Sequence, residues 1–158
     1  MDKALGDGGM ALLGQLGVDF LRYGEGWVEA AWTPTDSACN PVGGVHGGVY
    51  AVVHDAAMNF ATNSALERGE SGATISITYA TMRGAKAGDQ LRVRGEVVRL
   101  ARQIAYLETT ITNTEDLVVS KASGTFILRR RDAPAAGRGG ASADAGAPSE
   151  RGSATTQP

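Results

Sequence analysis

The strongest constraint on this chain is one long helical segment set in a sequence that otherwise repeats every two residues. Residues 47–66 are rich in Ala and place Val49, Val53, Ala56, Ala57 and Phe60 at helical spacing, over a length too great for a strand. On either side, apolar residues alternate between Gly, Pro and Asp signals, which predicts strands. Residues 18–23 and 27–33 flank Gly24-Glu25-Gly26 as a first hairpin, and residues 11–16 add a turn of helix before it. Residues 74–83, 90–100, 104–112 and 117–128 follow as long strands. Their connections are of hairpin length, which predicts an antiparallel meander of sequence neighbours. One apolar-faced helix between a hairpin and such a run implies an α+β chain, with an antiparallel β-sheet wrapped around one long central helix.

Composition sets the boundaries of that unit. Of the 27 residues from 132 to 158, 19 are Ala, Gly, Pro or Ser, and none is a large apolar residue. Such a stretch buries too little apolar surface to offset its ordering entropy, so 132–158 is expected to be a disordered tail after a domain of residues 1–131. With 15 basic against 17 acidic side chains the chain lacks the basic excess of a nucleic-acid binder. The single Cys39 cannot form an internal disulfide, which fits a reducing cytoplasm. The apolar run at Met10 to Leu13 is too short for a signal peptide, and no segment approaches the ~18 apolar residues of a membrane span.

Chemistry concentrates where the helix begins. The run Asn40-Pro41-Val42-Gly43-Gly44-Val45-His46-Gly47-Gly48 precedes it, and Asp55 follows nine residues after His46. Glycines without a β-carbon let a ligand approach the backbone, and the first N–H groups of a helix have no partner within it. Those donors, backed by the helix dipole, suit a polarised carbonyl or an oxyanion. Asp55 shares a stripe with Ala51 and Asn59 inside a segment of Ala, Val and Phe, a setting that suits a general base. Gly47 and Asp55 are eight residues apart, about 12 Å at ~1.5 Å per residue, so one Asp side chain cannot span the gap. If both act on one carbonyl, they come from two copies of the chain, as in a two-fold dimer with sites at its interface. Ala51, Ala56, Ala57 and Ala61 are small enough to allow close approach of helices in such an interface.

Asn40, His46-Gly47-Gly48 and Asp55, with the strand Thr74-Ile75-Ser76-Ile77-Thr78-Tyr79 and the turn Ala85-Lys86-Ala87-Gly88-Asp89, resemble the hotdog-fold acyl-CoA thioesterases. The phenylacetate-pathway (PaaI-like) branch is the most similar, over about residues 10 to 130. The resemblance implies a hotdog fold and hydrolysis of a CoA thioester, an aromatic one by its branch, by a homodimer or dimer of dimers without a cofactor. It implies that Asp55 is the catalytic base or nucleophile and that the Gly47 N–H polarises the thioester oxygen. Asn40 would stand beside Gly47 as a donor or water anchor, His46 would organise the loop, and Thr74 would assist the attacking water. The 4-hydroxybenzoyl-CoA branch carries Glu and Gln where this chain has Asp55 and Asn40, which favours the PaaI-like branch.

Gly48 and Asn59 are further expected substrate contacts, Asn59 either bonding Asp55 or shaping the acyl pocket. Arg83, Lys86, Arg102 and the run Arg129 to Arg131 are candidates for the CoA phosphates, because guanidinium groups pair with phosphate oxygens. His54 points about 100° away from Asp55 on the helix and is expected to be structural. His46, His54 and Cys39 have no zinc-like spacing, so no metal is expected. Two other readings of the same fold are a non-catalytic acyl-CoA-binding regulator and an enoyl-CoA hydratase, the second disfavoured by the nine-residue gap between His46 and Asp55.

Overall fold

The computed structural model describes residues 6–131, so the expected tail at 132–158 lies outside the described residues. In order, the elements are α1 (Ala11–Leu16), β1 (Val18–Gly24), β2 (Trp27–Trp32), a 3-10 turn (Asp36–Ala38), α2 (Gly47–Ser64), β3 (Ser71–Thr81), β4 (Leu91–Leu100), β5 (Ile104–Thr112) and β6 (Val118–Arg129). The strands form one six-stranded antiparallel sheet in the order β1-β2-β4-β5-β6-β3. Its inner face closes over α2, as the solitary helical segment requires.

The strand order corrects the expected meander. β3 does not pair with β4; it pairs with β6, while β4 pairs with β2 and β5. Three inter-strand steps, about 14 Å, separate β3 from β4, and the residues between Thr81 and Leu91 reach that far easily at ~3.3 Å each. A short connection limits the reach of the chain and leaves its destination open. This one crosses the end of the sheet, with the Met82 N–H on the Val119 carbonyl at 2.8 Å and the Ala85 carbonyl accepting from the Val45 N–H at 2.8 Å. It thereby becomes the support for the loop that enters α2.

The helix lies very close to the sheet because glycines on the inner face leave it room. A β-carbon on Gly95 would fall 2.8 Å from the Ala57 carbonyl oxygen, and one on Gly124 would fall 2.5 Å from the Met58 sulfur. Ala56, Ala57 and Ala61 are buried against this sheet within their own chain, and only Ala51 of the four faces the open side. Their small size serves helix-on-sheet packing, which corrects their expected place between helices of two copies. Phe20, Trp32, Tyr50, Met58, Leu107, Ile111 and Phe126 fill the core around them. β3 is an edge of the sheet, and most of its side chains are exposed, including Ile75 at 55%.

Candidate active site

The loop before α2 is tied into shape by its own polar groups. Asn40 Oδ1 accepts from the N–H groups of Val42 (3.1 Å) and Gly44 (3.2 Å), while the Asn40 N–H donates to the Gly44 carbonyl at 2.8 Å. Gly43 turns the chain with φ +85°, a conformation that suits glycine. The His46 N–H donates to the Ala38 carbonyl at 2.9 Å, so the loop arrives at the helix already anchored.

His46 is the N-cap of α2, with extended backbone angles, and its Nδ1 accepts from the Gly48 N–H at 3.1 Å. Capping of this kind satisfies one of the orphan donors of the first turn. The cap engages the Gly48 N–H, so that group is not a free donor. Gly47 is different. Its N–H has no acceptor among the described residues, and a β-carbon placed there would meet nothing within 4 Å. An N–H free at a helix start, with open space before it, can hold a partial negative charge on oxygen.

Two turns further on, Asp55 is half-buried and its Oδ1 accepts from Thr74 Oγ1 at 2.6 Å. Thr74 lies on β3 with its side chain on the inner face, so the edge strand orients the carboxylate. Asn59 does not bond to Asp55: its Oδ1 accepts from Asn63 Nδ2 at 2.7 Å, making a polar pair one turn beyond the carboxylate. Gly47 and Asp55 remain about 12 Å apart along α2, and the fold does not bring them together within one chain.

His54, next to Asp55 in sequence, points the other way. It is fully buried, and its Nε2 lies 2.8 Å from Ser120 Oγ, which in turn donates to the Ala80 carbonyl at 3.1 Å. Burial pulls its pKa down to about 4, so the ring is neutral at physiological pH and serves to fasten α2 to β6 and β3.

The expected phosphate-binding residues do not converge. Arg83 Nη1 donates to the Val118 carbonyl at 2.6 Å, and Lys86 lies in the loop paired with Gly44, near the start of α2. Arg102 sits in the turn after β4, at the other end of a strand about 33 Å long. Of the basic run, Arg130 pairs with Glu70 at 2.8 Å and is engaged in holding the β3 approach. Among the described residues no group of His, Cys, Asp and Glu is arranged to hold a metal ion, and no helix is long and apolar enough to cross a membrane.

One contact was not expected. Tyr79 Oη donates to the Gly47 carbonyl at 3.1 Å. Thr74 and Tyr79 are five residues apart, so simple alternation would place them on opposite faces of β3. A β-bulge between Thr74 and Ser76 absorbs one residue and turns both toward α2. No sequence signal marks that bulge.

A family model described as the Thioesterase superfamily matches residues 42–120, half of the chain, from the loop before α2 through Asp55 and Thr74 into β6. The chain belongs to the Thioesterase superfamily. It is thus a thioester hydrolase. A Haemophilus influenzae protein with an esterase name is 26% identical over 101 residues, 64% of this chain and 72% of its own. The fold is the hotdog fold of solved thioesterases. A Haemophilus influenzae thioesterase superimposes with a TM-score of 0.70 at 23% identity, covering 75% of this chain and 82% of its own. The E. coli PaaI protein of the phenylacetic acid degradation operon superimposes with a TM-score of 0.71 at 24% identity, covering 78% and 87%. A Streptococcus pneumoniae thioesterase structure with coenzyme A has a TM-score of 0.66 at 25% identity, covering 71% and 85%.

Proposed function

We propose that this thioesterase hydrolyses an aromatic acyl-CoA thioester to the free acid and coenzyme A at sites shared between two copies of the chain. The observation that carries this reading is the separation on α2 of a free N–H donor at Gly47 from an oriented carboxylate at Asp55. In a two-fold pair with antiparallel helices, Asp55 of one copy meets Gly47 of the partner subunit. The unpaired edge of β3 beside both groups supports such a pairing, because an exposed edge is a template for a second strand.

At such a site Thr74 holds Oδ1 of Asp55 and leaves Oδ2 to accept a proton from water. The water oxygen bonds to the thioester carbon, and the oxygen of the tetrahedral intermediate rests on the N–H of the partner subunit's Gly47. Collapse breaks the C–S bond, the acid leaves, and the coenzyme A thiolate takes up the proton. Asn40 and His46 keep the donor loop in shape. The coenzyme A part rests on the likeness to the Streptococcus pneumoniae structure, and the aromatic acyl group on the likeness to the E. coli PaaI protein. Gly48, Asn59, Arg83, Lys86 and Arg102 are then rim contacts supplied from both copies. We read the assembly as a dimer of dimers in a reducing cytoplasm, with residues 1–131 as the working domain.

Thiol release over a panel of aryl and aliphatic acyl-CoAs tests the reading. Asp55→Ala should lose about 10²-fold or more in kcat. Gly47→Pro removes the N–H at the first helical position, where proline fits, and should be similarly impaired. Mixing the two defective proteins after dissociation should restore about a quarter of wild-type activity, since half of randomly formed pairs carry one intact site of two. No recovery on mixing would sink the shared site, and saturable binding without thiol release would favour a regulator.

A further inference from the structure

The Gly47-Gly48 peptide opens α2 without a β-carbon on either side, and its plane is held at both ends. The Gly48 N–H rests on His46 Nδ1 at 3.1 Å, and the Gly47 carbonyl accepts from Tyr79 Oη at 3.1 Å. A helix-initial carbonyl already accepts from the residue four positions on, so the tyrosine uses its second lone pair. The tyrosine is itself fixed: its backbone pairs with Ala122 of β6, and its ring lies 6.1 Å from the ring of buried His54. It remains 37% exposed in the single chain, on the open side where the helix face and the β3 edge meet.

We propose that Tyr79 is a positioning residue for thioester hydrolysis: it holds the Gly47-Gly48 peptide on one side of the Gly47 α-carbon while the Val49 N–H holds the His46 carbonyl at 2.9 Å on the other, so that the free Gly47 N–H between them keeps the direction that an oxyanion requires. This rests on the reading of Gly47 given above. Glycine has the largest backbone freedom of any residue, so the Gly47 N–H is aimed steadily only when the peptides on both sides of its α-carbon are held. Oxyanion stabilisation depends on donors already aimed before charge develops, and small misplacements are costly in rate. The same strand holds both half-sites, Asp55 through Thr74 and Gly47 through Tyr79.

A double-mutant cycle on the full-length protein tests this, with the acyl-CoA of the panel that wild type turns over fastest as substrate. Tyr79→Phe keeps the ring and deletes the hydroxyl. The expected result is about a tenfold fall in kcat with KM within about twofold, unchanged assembly by sedimentation, and no further loss when Tyr79→Phe is added to Gly47→Pro. Full kcat in Tyr79→Phe, while Gly47→Pro is impaired, would overturn the positioning role and leave the Gly47 reading intact. An additive loss in the double variant, or dissociation of Tyr79→Phe, would show a role in general structure and overturn it too. Full activity in Gly47→Pro would overturn both.

Discussion

Thr74 Oγ1 donates to Asp55 Oδ1 at 2.6 Å, joining the edge strand to the middle of the central helix. Hydrogen bonds to a charged group are worth more than neutral ones, about 1.5–3 kcal/mol. Thr74→Ala should therefore lower kcat by about tenfold or more while the fold persists, and Thr74→Ser should recover most of the loss. Steady-state thiol release by the three proteins checks this. Equal kcat in wild type and Thr74→Ala would remove the contact from the reaction.

The buried His54 makes stability depend on pH in a defined window. Its folded pKa of about 4 lies below the ordinary 6.5 because burial disfavours the imidazolium. Between those values the unfolded chain binds the proton and the folded chain does not. The contribution present above pH 6.5 is thus lost as pH falls toward 4, by about 3 kcal/mol at most. Urea unfolding at steps from pH 7.5 to 4.5 should show the decline. In His54→Gln the curve should be flatter over that range even if the variant is less stable throughout.

His46 caps α2 by accepting the Gly48 N–H. His46→Ala should cost about 1 kcal/mol of stability, in line with other lost caps, and His46→Asn should retain most of it. Thermal unfolding of the three proteins decides the matter; a Tm in His46→Ala equal to that of wild type would contradict it.

Gly95 permits the closest approach of sheet and helix. In Gly95→Ala the new carbon would meet the Ala57 carbonyl oxygen at 2.8 Å, and backbone has to move to relieve it. The expected cost is about 1–3 kcal/mol, as for other overpacked cores, read as a lower urea midpoint with an unchanged slope. A variant as stable as wild type would show that the helix shifts freely.

The central helix and the strands were legible because each leaves a local mark, a 3.6-residue period or alternation, and the places of Asn40, His46 and Gly47 before and at the helix start and of Asp55 within the helix followed from that period. The pairing of β3 with β6 was hidden because partner choice between strands is settled by burial on a shared inner face far apart in sequence. The glycines at 95 and 124 did carry a mark, since glycine inside a strand signals close backbone approach, but only the structure shows that α2 is what approaches. The bond from Arg83 to the Val118 carbonyl leaves no mark in the sequence, because its partner is a backbone group of β6.

The bulge at Ile75 imposes a demand on arithmetic rather than on chemistry. The side chain at 75 is exposed, and the contacts of Thr74 and Tyr79 depend on the number of residues between them taken together with the bulge. Five positions with the bulge, or four in plain alternation, keep both side chains toward the helix, whereas five positions in plain alternation turn either the threonine or the tyrosine to the outer face. A deletion in this strand keeps both contacts only where it removes the bulge along with the residue, so bulge and spacing are inherited together as one ruler for two contacts on one helix.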